Sequence, residues 1–372
     1  MSWSLELREG KLFRKTFVVR RPWSVVGTLI IGLLVASPLP GQVETIEGPR
    51  SEPVWVSHGR IEGHLALNYS PAGAFSPDSS TLAVVSDEKV VLIDLRHGNS
   101  PQVLRPRLEN ITDLTMHSAN FVTPERLLIL GNGLVKMKDK GMPPRTPELA
   151  FQWEIAKDAL ASKVDGLGAG GGFEPPRYFP DIRYVGLNKD NNFDLWQPLT
   201  GKAGRITIPP LTQPAKLYAF SPDGHWLLLA QVAGSGTTDP IVASLGTKQF
   251  VDALKGHQAT VLSIAFSRDT SRVVTACEDG KVRIWSVGDW KLLQTLSGHF
   301  GPVHWAEFSA DGKWIASAGE DATVRIWSAE DGKAVAELKE STAPVLTVAF
   351  SSDGHYLAAS TEKAVLVWER GQ

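Results

Sequence analysis

From residue 256 onward the apolar residues fall into runs of about six, each closed by a short polar break. VLSIAF, RVVTAC and KVRIW are rich in Val and Ile and too short for helices, so each predicts a strand. Between the first two stands Ser-Arg-Asp-Thr, and in the next copy Ser-Ala-Asp-Gly, both with turn chemistry. After the Trp comes another turn and a fourth run, KLLQTL or KAVAEL. The pattern then starts again. GHQATVLSIAFSRDTSRVVTACEDGKVRIW, from Gly256, and GHFGPVHWAEFSADGKWIASAGEDATVRIW, from Gly298, align without a gap, so His257 and His299, Asp279 and Asp321, and Trp285 and Trp327 each stand 42 apart. A third copy places Phe350 another 42 on and Trp368 another 41 on.

Four short strands in a repeat of this length make one blade of a propeller. Upstream the signal is weaker but present. Gly63-His64 leads into a unit with Asp87 and Ile93 in the Asp and Trp places, Asp190 stands six before Trp196, and YAFSPDGHWLLLA begins another unit. The units fall near 61–103, 109–160, 173–209, 211–250, 256–297, 298–339 and 341–370. The predicted fold is therefore all-β, a seven-bladed β-propeller of four-stranded antiparallel blades over residues 51–372, with a flexible Gly/Pro-rich insertion near 136–176. The last repeat has only three strands, whereas VWVSHGRIEGH, from Val54, resembles a fourth strand that belongs to no earlier blade. Residues 53–60 are expected to close the ring by supplying it, which removes an open sheet edge.

Gly256-His257 with Ile284-Trp285, Gly298-His299 with Ile326-Trp327, and the FS-x-DG turns at Phe308 and Phe350 resemble the WD40-repeat family. The resemblance implies a buried chain of hydrogen bonds in each blade, running from the His through a Ser or Thr two before the Asp to the Asp and the Trp. Carried over, this gives His257, Asp279 and Trp285 in one blade and His299, Asp321 and Trp327 in the next. The hydroxyl position holds Cys277 and Gly319, so the hydroxyl is expected to be missing from both, with a direct His–Asp contact or a water in its place. The last blade has Ser341 for the His and Glu362 for the Asp, and is expected to rely on packing. The resemblance also implies a partner-binding face at the loops into each first strand and just before each Asp. Those positions are Thr260, Leu262 and Glu278, then Pro302, His304 and Glu320, then Pro344, Leu346 and Thr361, with Glu278 and Glu320 forming a locally acidic rim.

Charge narrows the range of partners. With 38 basic and 40 acidic residues the net charge is -2, which gives no global field to hold a nucleic acid. The single cysteine, Cys277, excludes an internal disulfide and a multi-cysteine metal site. At the N-terminus Arg14, Lys15, Arg20 and Arg21 precede a stretch without charge from Pro22 to Val43. Basic flank and apolar segment fit either a cleaved secretory signal or an anchor over residues 23–39. Residues 1–50 are accordingly set apart as a leader, membrane contact is expected only there, and the rest is expected outside the cytoplasmic membrane.

Candidate catalytic chemistry is sparse. The Asp–His pairs recur with the repeat and have no nucleophile at a fixed offset, which marks them as structural. GLGAGG at 166–171 fits a nucleotide-binding glycine pattern only literally, since no strand leads in and FEPP follows where a helix should start. Nine scattered histidines offer no metal-ligand spacing. The expectation is a non-catalytic protein-binding platform without metal or cofactor. An extracytoplasmic receptor for a small ligand stands second and a propeller enzyme last.

Overall fold

The computed structural model describes residues 3–8, 11–15, 54–62, 74–86, 88–109, 111–135, 148–163, 177–178, 184–187, 193–196, 203–206, 215–231 and 239–371. Among the described residues the strands form seven sheets. The first is three-stranded (Thr81–Ser86, Lys89–Asp94, Gln102–Leu104), with Phe75 bridging to Leu82 where an innermost strand would lie. The second to sixth are four-stranded antiparallel meanders that begin at Ile111, Arg177, Ala215, Val261 and Val303. The seventh joins Thr347–Phe350, Tyr356–Ser360 and Ala364–Arg370 to a strand from far upstream, Trp55–Glu62. This succession of all-β, four-stranded antiparallel sheets is the build of a β-propeller.

Why the runs read as they do becomes plain from burial. In the fifth sheet Arg272–Cys277 is buried along nearly its whole length, and the outer strand Leu292–Ser297 is mostly exposed. A middle strand with a neighbouring sheet on each face has no solvent side, so its sequence is nearly continuous Val, Ala and Cys rather than alternating. The core consists of the layers between successive sheets. One layer packs Val274, Ile284 and Leu296 of the fifth sheet against Val303, Phe308 and Trp327 of the sixth. Another packs Ala316 and Ile326 of the sixth against Val348, Leu357 and Trp368 of the seventh. A third joins the seventh to the first through Ile61, Tyr356, Phe75 and Ile93. Each buried Val, Leu or Ile contributes about 1.5–3 kcal/mol.

The turn after each first strand repeats in five sheets. Ser76, Ser221, Ser267, Ser309 and Ser351 are buried, and each donates its hydroxyl to the Asp two residues on, at 2.5 to 2.6 Å. Each hydroxyl also accepts the amide five residues on, at 2.9 to 3.0 Å. The residue three after the Ser has positive φ, and it is Gly224, Gly312 or Gly354 in three cases but Ser79 and Thr270 in the others.

The closing strand lies where the sequence expects it. Trp55–Glu62 pairs antiparallel with Ala364–Arg370, from Ala364 opposite Glu62 to Arg370 opposite Trp55. Within the leader, Trp3–Arg8 and Lys11–Lys15 pair as a hairpin, and the first of these runs parallel to the closing strand, Trp3 opposite Gly59. The apolar segment Pro22–Val43, Gly63-His64, Asp87, Asp190 and GLGAGG lie outside the described residues. Among the described residues no helix is long and apolar enough to cross a membrane. Inside the stretch 136–176, Glu148–Glu154 and Ala159–Lys163 are the third and fourth strands of the second sheet, within the unit expected at 109–160.

Candidate interaction surface

In the sixth sheet the indole of Trp327 donates to Ser317 Oγ at 2.8 Å. That hydroxyl meets His299 Nε2 at 2.8 Å, and His299 Nδ1 meets Asp321 at 3.0 and 3.1 Å. Because the Nδ1 partner is a carboxylate, the imidazole carries its proton there, and Nε2 accepts from the Ser317 hydroxyl. The four groups form one closed relay with donors and acceptors matched. Burial holds His299 below the usual imidazole range despite the Asp321 contact, so the ring is neutral. For Asp321, burial acting alone would raise the carboxyl. The Phe300 amide, His299 and Thr323 outweigh it and hold Asp321 low.

The fifth sheet begins the same way and ends differently. Trp285 Nε1 donates to Thr275 Oγ1 at 3.1 Å, which meets His257 Nε2 at 2.9 Å. His257 Nδ1 then points away from Asp279, to Asp239 Oδ1 of the fourth sheet at 3.1 Å and to the Leu254 carbonyl at 3.0 Å. Asp279 is paired instead with Arg283, at 2.6 Å and nearly buried. Its carboxyl is held low because hydrogen bonds led by Arg283 outweigh burial.

Two expectations are corrected here. The hydroxyl is not missing: it is Thr275 and Ser317, four residues before the Asp rather than two, on the strand opposite Arg283 and Arg325. And His257, Asp279 and Trp285 do not share one chain of contacts, since Asp279 lies outside it. The seventh sheet also has a polar tie beyond packing. Trp368 Nε1 donates to Glu340 Oε1 at 3.1 Å, and Glu340 Oε2 accepts from Ser57 of the closing strand at 2.7 Å.

The loops above these relays form a rim. The Glu278 amide donates to the Thr260 carbonyl and the Glu320 amide to the Pro302 carbonyl, both at 2.9 Å, so each Glu stands beside the loop entering its own sheet. The rim is continuous from sheet to sheet. Gly280 lies against the Gly301 carbonyl, where a Cβ would come within 3.1 Å, and the Val345 amide donates to the Gly319 carbonyl at 3.0 Å. Glu278 and Glu320 are exposed, and Glu320 Oε2 meets His304 Nε2 at 2.7 Å. Thr260, Leu262, Pro302 and Pro344 are half-buried, and Leu346 is 37% exposed. Thr361 does not belong to the surface. It is buried, and its hydroxyl accepts the Lys363 and Ala364 amides of its turn.

One rim residue escapes the sequence reading. Phe300 is 82% exposed, the most of any large apolar residue described, and its amide donates to Asp321 Oδ2 at 2.9 Å. Its position between Gly298-His299 and Gly301-Pro302, where the fifth sheet has polar Gln258, is the signal that could have found it.

The Ser-x-Asp turns at Ser267, Ser309 and Ser351 fall one in each of the three segments where the family described as "WD domain, G-beta repeat" matches, at 248–286, 290–328 and 332–369. The chain carries three WD40 repeats. It is also similar to Coronin-7 of Pongo abelii, 29% identical over 110 residues, which is 29% of this chain and 12% of that protein. Repeats of this family suggest a non-catalytic interaction scaffold. Among the described residues no group of three or more His, Cys, Asp or Glu side chains could hold a metal ion. Cys277, which shares the buried layer of the fifth sheet, has its thiol pushed up chiefly by burial, the opposite of an activated nucleophile.

Proposed function

We propose that this chain is a non-catalytic protein-binding platform, a seven-bladed WD40-type ring that holds its partner on the rim of the fifth to seventh sheets. The observation that carries this reading is the rim itself. Phe300, 82% exposed, is carried by a loop whose Gly301 lies against Glu320 and against Gly280 of the turn after Glu278, with Leu346 one sheet further on. Apolar side chains set among carboxylates suit a protein segment that presents basic groups beside apolar ones, and they disfavour an anionic polymer. The relays below explain why this surface is rigid: the Asp that ties each relay or ion pair also caps the loop above it, through Phe300 in one sheet and Gln258 in the other.

The test uses the full chain and its binding partner recovered from an envelope extract. Glu278→Ala with Glu320→Ala should lose the partner while leaving the melting temperature unchanged. Retention of the partner by the double variant would contradict the rim. A small molecule that co-purifies and raises the melting temperature would favour the ligand-receptor reading.

The platform is further proposed to lie outside the cytoplasmic membrane, on the strength of the basic flank and the apolar segment Pro22–Val43. A single crossing by that segment would separate Trp3–Arg8 from Trp55–Glu62, and cleavage would remove Trp3–Arg8, so the pairing of those strands stands against both forms of export. The N-terminal residue of the mature protein decides. A start after residue 36 supports export with cleavage, and a start at Met1 with the protein in the soluble fraction contradicts export.

A further inference from the structure

The inner strands of neighbouring sheets are joined by side chains that reach the backbone of the next sheet. From the fifth to the sixth the link is neutral: Ser263 Oγ accepts the Ala306 amide at 3.0 Å. From the sixth to the seventh it is ionisable. Glu307 Oε1 accepts the Phe350 amide at 2.9 Å, and Oε2 accepts the Trp305 indole at 3.4 Å. Both links span 43 residues of chain, but only the second buries a carboxyl.

No cation answers that carboxyl among the described contacts. On its own strand His304 is engaged with Glu320 at the rim. Arg272, from the fifth sheet, lies over the Phe308 ring and donates to the Ala329 and Gly312 carbonyls. Arg325 of the sixth sheet holds Glu337. On the seventh, Asp353 is taken by Ser351 and the His355 amide, and His355 by Glu369. An ionised Glu307 would therefore be a buried charge supported by two N–H donors alone.

We propose that Glu307 makes the joint between the sixth and seventh sheets proton-operated, closed while the carboxyl is protonated and loosened when it ionises. Burial, acting against the Phe350 and Trp305 hydrogen bonds, raises the carboxyl from 4.5 to about 7. A carboxyl raised in the fold stabilises the closed joint fully below the ordinary carboxylate value, and that stabilisation is lost as the pH rises through about 7. The opposite end of the same joint is the Val345–Gly319 hydrogen bond, beside Glu320 and Leu346. The joint rests on the packing of the sheets and holds whether or not the rim binds a partner.

Hydrogen exchange of the full chain tests it, with protection corrected for the intrinsic pH dependence of exchange. Between about pH 5.5 and about pH 8.5 the Phe350 amide should lose ~10-fold or more of its protection, while the Ala306 amide of the neutral joint does not follow it. In Glu307→Gln the Phe350 loss should disappear. Carbon NMR of the wild-type Glu307 carboxyl gives a reading that does not depend on the variant folding, with a midpoint expected near 7. Constant Phe350 protection, an undiminished loss in Glu307→Gln, or a midpoint in the ordinary carboxylate range would each overturn the proposal.

Discussion

The fifth and sixth sheets carry almost the same words, CEDGKVRIW and GEDATVRIW, and use their Asp residues differently. In the sixth, Asp321 holds His299; in the fifth, Asp279 holds Arg283, and His257 turns to Asp239 of the preceding sheet. Three positions account for the difference. A Cβ on Gly319 would lie 2.4 Å from His299 Nδ1 and 2.7 Å from Asp321 Oδ1, so the His–Asp contact occupies the space that the Cys277 side chain fills one repeat earlier. Arg325 faces Glu337 across the strand pair, whereas Arg283 faces Thr295 and has no acid there, which leaves it for Asp279. Finally, Asp239 is 42 residues before Lys281, so His257 has an acid in the preceding sheet where His299 has none. The lesson is that a motif residue takes its partner from the positions around it.

The largest effect should come from moving that difference. Gly319→Cys must drive His299 off Asp321, which loses one hydrogen bond to a buried carboxylate and strains the turn, and is expected to cost about 3 kcal/mol in urea denaturation. The reverse change, Cys277→Gly, leaves a small cavity and is expected to cost only ~1–2 kcal/mol. Equal costs would break the comparison. Next comes the part the two sheets share. Thr275→Val keeps the shape but leaves His257 Nε2 and the Trp285 indole without their hydroxyl, for a loss of about 2–3 kcal/mol by the same assay.

Acid sharpens the picture further. His257 and His299 are both held below the usual imidazole range, chiefly by burial, so the unfolded chain takes up protons first. Their stabilisation is complete above the ordinary value of 6.5 and is lost as the pH falls through the lower folded values. In a Glu307→Gln background, which removes the opposing effect of that carboxyl, denaturation midpoints measured from neutral pH downward should decline, and replacing either His by Gln should flatten the decline. The smallest effect concerns the turns. Thr270 sits at φ 59° where the sixth sheet has Gly312 at 68°, so Thr270→Gly should raise stability by ~0.5–1 kcal/mol in thermal melts.

How much of this was written in the sequence depends on how local the cause is. The four-strand unit, the Ser-x-Asp turns and the closing strand were legible because each follows from a short pattern of apolar runs and turn residues. Glu278, Glu320 and Leu346 were assigned to the surface by what the family resemblance implies for the loops into each first strand and just before each Asp, and all three are exposed. The partner of each relay residue was not legible. Thr275 and Ser317 are two residues further from the Asp than the resemblance implies, and Asp239 comes from a different repeat. Phe300 was passed over because apolar residues at turns leave no periodic trace. Glu307 looked like one polar residue in a strand, and only packing against the seventh sheet reveals it as a buried carboxyl.

The measurement that bears most directly on the two-sheet account is a pair of double-mutant cycles in urea, with His to Gln and Asp to Asn as the single changes. His299 and Asp321 should show a coupling of about 1 kcal/mol or more, and His257 and Asp279 a coupling near zero. Similar couplings in the two sheets would contradict the account.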